Sequence, residues 1–286
     1  MSGSGAAAAG EHERQYNPRE AVPDHARFLN GRAALSERIA RDLGGGREIR
    51  YGPGEKETAD IFAPAEAEAC PVHIYFHGGY WRANDKAEFA FVAGPIVAAG
   101  GCAVIANYDL CPAVSVGEIV EESRRLLRWV HAEIAAHGGD PARITISGSS
   151  AGGHLVALLL AHDWAGENLP EDLIKGAVAI TGVYDCAPVL EVSVNEQIRL
   201  RPEDVEALSP IHHPPRKPVP LVVAVGGGET EGWIAMSRDY ADICKRAGVP
   251  TTYLELAGEN HFTITGLLQA RDNLLVEAIL AQMAAA

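Results

Sequence analysis

In Gly148-Ser-Ser150-Ala-Gly152 a serine stands between two glycines at G-x-S-x-G spacing. A serine hydroxyl is a weak nucleophile and attacks a carbonyl only when a neighbouring base takes its proton. The flanks decide between such a site and an ordinary glycine-rich turn. Ahead of the motif, Ile144 to Ile146 form a short β-branched run; behind it, Leu155, Leu158 and Leu159 recur on one helical face. Strand, motif, helix is the setting a nucleophile elbow requires. The turn is so sharp that the serine backbone is strained and its neighbours have no room for a Cβ. The helix behind it aims N–H groups and a partial positive charge at the place where an oxyanion would form.

The base expected for Ser150 is His261, in Gly258-Glu-Asn-His261-Phe262. Any one of the 11 histidines is by default a surface residue. His261, however, follows the last expected strand, where a loop can carry an imidazole over the sheet edge. Glu229, just after a strand at 221–225, is the expected acid, with Glu231 and then Asp185 as rivals. Serine, acid, histidine is the chain order of the α/β-hydrolase triad. In His77-Gly78-Gly79 the two glycines can turn their N–H groups, with that of Ala151, towards a tetrahedral oxyanion. Tyr80 and Trp81 are expected to line the substrate pocket, with core packing an even alternative for Trp81. His73 and His77 are four apart on a strand with no H-E-x-x-H, so no metal site is expected.

These groups need a frame that brings four loops together. Strand candidates are Glu48–Tyr51 and Thr58–Phe62, an antiparallel hairpin around Gly52-Pro-Gly54, followed by 71–76, 102–107, the elbow strand, 174–180, 221–225 and 251–256. Helical patterns cover 24–43, 85–99, a long stretch opened by the capping-box spacing Ser115-Val-Gly-Glu118, the elbow helix, 233–247 and 265–284. Strands alternating with helices imply a mostly parallel sheet covered on both faces, with the site beyond the strand carboxyl ends. One domain over 21–286 is expected. Residues 1–20, small or charged, are read as a disordered tail, and 24–43 and 186–215 as cap elements.

With 286 residues, 47% of them hydrophobic, the chain can bury one large core. A formal net charge of -14 opposes nucleic acid and anionic membranes as partners. No run approaches the ~18 apolar residues of a membrane span, and the first ten residues lack the regions of a signal peptide. Five cysteines without C-x-x-C suit a reducing compartment. A cytoplasmic protein acting on a small-molecule substrate is expected, with a homodimer left open as its assembly.

With these residues placed, the chain resembles the kynurenine formamidase (arylformamidase) branch of the α/β-hydrolases, near the hormone-sensitive-lipase-like esterases. The resemblance rests on His77-Gly-Gly-Tyr-Trp81, Asn107-Tyr-Asp-Leu-Cys-Pro112, Gly148-Ser-Ser-Ala-Gly-Gly-His154 and Thr181-Gly-Val-Tyr-Asp185. It continues through Leu208-Ser-Pro210, Glu229-Thr-Glu-Gly-Trp233 and Asn260-His-Phe262. It implies hydrolysis of N-formyl-L-kynurenine to kynurenine and formate through a formyl-serine, without metal or cofactor. Two positions depart from it: Ser149 stands where members often carry histidine, and Glu229 where many carry aspartate.

The leading expectation is therefore a serine amidase for an aryl formamide. A carboxylesterase of small acyl esters would use the same triad, and a catalytically silent binding protein is the third reading. Two large rings after the oxyanion glycines would favour formyl over longer acyl groups. The rings, or Trp233, would stack an aromatic leaving group, and Arg82 is the nearest cation in sequence for a substrate carboxylate.

Overall fold

The computed structural model describes residues 3–286. Eight strands form one sheet in the order β1-β2-β4-β3-β5-β6-β7-β8. They are β1 Arg47–Arg50, β2 Thr58–Phe62, β3 Cys70–Phe76, β4 Cys102–Ala106, β5 Gly139–Ser149, β6 Ile174–Ile180, β7 Leu221–Gly226 and β8 Thr251–Leu256. β1 and β2 pair antiparallel, as the hairpin reading expected, and β2 pairs antiparallel with β4. All other pairings are parallel.

Central strands are buried on both faces: β4 is buried at every position, and β6 at all but Lys175. Edge strand β8, Thr-Thr-Tyr-Leu-Glu-Leu, buries only Leu256 fully. Period-two alternation therefore feeds two apolar layers. Val72, Ile74, Ile146 and Ala177 belong to the layer under helices Val116–Glu133, Ala151–Leu160 and Glu231–Arg246. Tyr75, Ala103, Ile105 and Val178 belong to the opposite layer, with Ile96 of helix Ala93–Ala98 and Ile279 and Met283 of Leu274–Ala285. After β4 the chain crosses to the other side of β3 to form β5. The loops leaving β3 and β5 consequently diverge, and a crevice opens at that switch point.

Several boundaries differ from expectation for local reasons. The stretch 24–43 is two helices, Ala26–Leu29 and Arg32–Asp42. Asn30 is extended and Gly31 left-handed at φ +84°, so Asn-Gly breaks the helix. Leu35, Ile39 and Leu43 still pack inwards. Residues 85–99 start as short 3₁₀ turns, and the α-helix begins only at Ala93, two residues before Pro95, which lacks an N–H. The last helix is delayed to Leu274, where the Asn273 side chain accepts the Val276 N–H at 3.1 Å. The irregular region 186–215 consists of single helical and 3₁₀ turns.

The expected disordered tail at 1–20 is corrected: Gly3–Tyr16 and Pro18–Ala21 are helices, with residues 1 and 2 outside the described part. No apolar stripe signals this segment, because polar contacts hold it. Glu13 accepts the Ser193 N–H at 2.7 Å and its hydroxyl at 2.6 Å. The Gln15 carbonyl accepts the Thr230 hydroxyl at 2.7 Å, and the Gln15 side chain accepts the Gly232 N–H at 2.9 Å. Among the described residues no helix is long and apolar enough to cross a membrane, and all five cysteines are free.

The capping box is present in full. Ser115 Oγ accepts the Glu118 N–H at 3.3 Å, and Glu118 accepts the Ser115 N–H at 2.7 Å. Ser115→Ala is expected to lower unfolding stability by about 1 kcal/mol, read as a shift of the urea midpoint at unchanged slope.

Candidate active site

Ser150 directly follows β5 and caps helix Ala151–Leu160 with φ +56° and ψ -118°, a backbone region that side-chain-bearing residues rarely enter. Its N–H donates to the Ile180 carbonyl of β6 at 2.8 Å, which pins the turn to the neighbouring strand. Both motif glycines are explained by contact. A Cβ on Gly148 would strike the Gly152 carbonyl and lie 3.0 Å from its Cα. A Cβ on Gly152 would strike the Phe76 carbonyl oxygen and lie 2.9 Å from that of His77. The elbow, in other words, is packed backbone against backbone on the end of β3.

His261 lies between Ser150 and Glu229. Its Nε2 is 3.0 Å from Ser150 Oγ, and its Nδ1 is 2.7 Å from Glu229 Oε2. A carboxylate only accepts, so Nδ1 carries the proton and Nε2 is left to accept from the serine. The two side chains are 9% and 1% exposed, and a carboxylate so withdrawn from water needs several donors. Glu229 has them in the Gly226 N–H at 2.9 Å, the Thr181 hydroxyl at 2.7 Å and the imidazole. The rivals stand elsewhere: Glu231 is exposed in the first turn of its helix, and Asp185 accepts the Ala187 N–H at 2.8 Å.

Thr181 is a site residue that sequence reasoning passed over. It sits left-handed at φ +43° at the end of β6, and its hydroxyl lies 2.7 Å from both Glu229 oxygens and 3.1 Å from His261 Nδ1. Its signals were its position, at the carboxyl end of the strand between serine and acid, and its place at the head of Thr181-Gly-Val-Tyr-Asp185.

Gly78 and Gly79 line the cavity beside Ser150, and among the described residues their N–H groups donate to no protein acceptor. A Cβ on Gly78 would come within 2.8 Å of the Ser149 carbonyl and 3.0 Å of Ser150 Cβ, while Gly79 has φ +128°. Close approach and backbone angle thus account for the pair. His77 holds the segment from behind: fully buried, it stacks on Tyr108 at 4.4 Å and contacts the Gly78 carbonyl at 2.8 Å. Burial lowers its pKa, and drives those of His154 and His73 to about 4 and about 3. His73 is occupied by the hydroxyls of Thr145 and Ser147 at 2.9 and 2.7 Å.

The aromatic residues separate. Tyr80 lines the cavity, its hydroxyl donating to the Tyr16 carbonyl at 2.6 Å. Trp81 does not reach it: fully buried, it packs edge-on against His154 at 4.8 Å, so the substrate-lining expectation gives way to core packing. Its side chain points off the cavity although it adjoins Tyr80 in sequence. Trp233 covers His261 with ring centroids 4.6 Å apart. Phe89 and Phe262 supply the remaining cavity rings. Ser149, at the first departure from the family pattern, binds the Tyr75 hydroxyl at 2.8 Å. Arg82 lines the cavity, where it is joined by Arg19 and Arg32.

A family model described as alpha/beta hydrolase fold matches residues 73–265. Kynurenine formamidase of Salmo salar is 29% identical over 289 residues, covering 96% of this chain and 96% of that protein. Esterase LipQ of Mycobacterium tuberculosis is 31% identical over 255 residues, covering 81% of this chain and 60% of that protein. Among solved structures, a Silicibacter protein provisionally described as a thioesterase superposes with TM-score 0.80 at 27% identity, covering 93% of this chain and 98% of its own.

The contacts of Glu229 rank the acids. Glu229→Gln is expected to lower kcat on the order of 10³–10⁴-fold, and Thr181→Val about tenfold through loss of a bond to a charged group. Asp185→Asn and Glu231→Gln should stay near wild type, and steady-state kinetics on one chromogenic substrate would compare all four.

Proposed function

This chain belongs to the alpha/beta hydrolase fold family, and from that membership we propose that it is a serine hydrolase cleaving an aryl formamide of the N-formylkynurenine type. One observation carries the mechanism: His261 bridges Ser150 at 3.0 Å and Glu229 at 2.7 Å while the serine is held on a strained elbow. In this reading Ser150 Oγ bonds to the formyl carbon as its proton passes to His261 Nε2. The carbonyl electron pair moves to oxygen, and the oxyanion faces the N–H groups of Gly78, Gly79 and Ala151. Collapse breaks the C–N bond, and His261 delivers its proton to the departing arylamine. Water then adds to formyl-Ser150 with His261 as base, releasing formate and restoring the serine. Glu229 holds the imidazole tautomer and stabilises the imidazolium in both halves.

The choice of a small acyl group is supported by Tyr80. Its ring lines the cavity directly after the oxyanion glycines, and its bond to the Tyr16 carbonyl keeps the ring from swinging aside. Phe262 offers a ring for an aryl amine. Similarity to kynurenine formamidases along nearly the whole chain points the same way. A carboxylesterase is the second reading, favoured by the likeness to esterase LipQ and by acyl-transfer machinery that serves esters equally.

Ser150→Ala is expected to lower kcat on the order of 10⁴-fold or more, and His261→Ala by a similar amount. The double variant should be hardly worse than either, since groups acting as one unit are not additive; additive losses would remove His261 from the triad. The acyl series of one arylamine separates the two readings. kcat/KM should fall from formyl through acetyl to butyryl, whereas a rise along the series would leave a general esterase.

A further inference from the structure

The cavity that holds Ser150 is lined by arginines and by no carboxylate. Its wall includes Arg19, Arg32 and Arg82 but neither Asp nor Glu, in a chain whose net charge is -14. Arg32 is the informative member. It is only 9% exposed, yet among the described residues it makes no hydrogen bond and no ion pair. Burial lowers its pKa from the ordinary value, but a guanidinium stays charged in proteins. Glu88, the carboxylate whose field acts on it, stands beyond ion-pair distance and outside the cavity wall. The guanidinium lies over the Phe89 ring, with its carbon 4.8 Å from the ring centroid.

A buried, unpaired charge is costly and persists where something else compensates it. The position of Arg32 repeats the point. It lies on the inward stripe of its helix, with Ser36 and Ile39 one and two turns on, where an apolar residue would pack more cheaply. Arg82 adds a second unfilled donor. Its Nη1 donates to Gln197 Oε1 at 2.8 Å, while its buried Nε has no partner. Arg19 is exposed at the mouth.

We propose that this cavity is an anion site, in which Arg32 and Arg82 bind a carboxylate carried by the substrate's aromatic amine, with Arg19 steering it in. The Phe89 ring beneath Arg32 orients the guanidinium fork, and a planar fork matches a carboxylate in two parallel bonds. With no acid on the wall, an ammonium group would find no mate here, so the carboxylate is the group recognised. The inference rests on the hydrolase reading for where the reacting bond lies, and on the formamide reading only for the leaving group's identity.

The test compares isosteres that differ in charge: 3-formamidobenzoate against 3-formamidobenzamide, and 3-acetoxybenzoate against 3-acetoxybenzamide. In the wild type the carboxylate of each reactive pair should have about tenfold higher kcat/KM, about 1.4 kcal/mol, expressed in KM. Arg32→Gln should bring that ratio to about one, and Arg32→Lys should restore part of it. A wild-type ratio near one, or a ratio that Arg32→Gln leaves unchanged, overturns the proposal. If only the esters turn over but show the ratio and its loss in Arg32→Gln, the formamide reading fails and the anion site stands. Should Arg32→Gln not fold, competitive inhibition of the wild type decides: benzoate must bind about tenfold tighter than benzamide, and equal binding overturns the site.

Discussion

Everything at the site depends on one close approach, that of the elbow backbone to the end of β3. Gly152 can sit against the Phe76 carbonyl only because it lacks a Cβ, and Gly148 against Gly152 for the same reason. That approach pushes Ser150 to φ +56°, a conformation costing on the order of 1–3 kcal/mol. The surrounding sheet over-determines it. β5 is bonded in parallel register to β3 on one side and β6 on the other, and the Ser150 N–H itself reaches Ile180 at 2.8 Å. The strain exposes the hydroxyl at the mouth of a crevice and brings Gly78 within reach of it.

The second constraint is the burial of Glu229. A carboxylate side chain 1% exposed needs donors in place of water, and Gly226, Thr181 and His261 each present a hydrogen to it. Each of these donors comes from the carboxyl end of a different strand or from the loop after it, so the Glu229 and His261 side chains are held as rigidly as the parallel sheet. The crevice is then closed from outside by the N-terminal segment. Asn17, Pro18, Arg19, Leu29 and Arg32 form one wall, and the Tyr16 carbonyl holds Tyr80.

The sheet and the elbow were legible because each rests on local, periodic signals. Ile144 to Ile146 before Gly148-Ser-Ser150, the Ser115 and Glu118 spacing, and the alternation of strand and helix are written in short windows. His261 and Glu229 followed from strand order. What escaped was settled by contacts across the chain. Glu13 and Gln15 order a segment whose composition reads as a tail, through bonds to Ser193, Thr230 and Gly232 that no local pattern announces. Trp81 and Tyr80 are adjacent yet point to core and cavity, a choice made by left-handed backbone at both residues. Thr181 and Arg32 are ordinary residue types whose meaning comes only from what stands, or fails to stand, beside them. Arg32 did leave a trace, as a charge on the inward stripe of an otherwise amphipathic helix.

The central claim is that Ser150 is an activated nucleophile, and covalent trapping reads it directly. Intact-mass measurement after exposure to a fluorophosphonate, with peptide mapping of the adduct, should find a single label on Ser150. Labelling should be lost in Ser150→Ala and strongly slowed in His261→Ala, while Asp185→Asn labels like the wild type. An unlabelled wild type, or an adduct on another residue, would contradict the account.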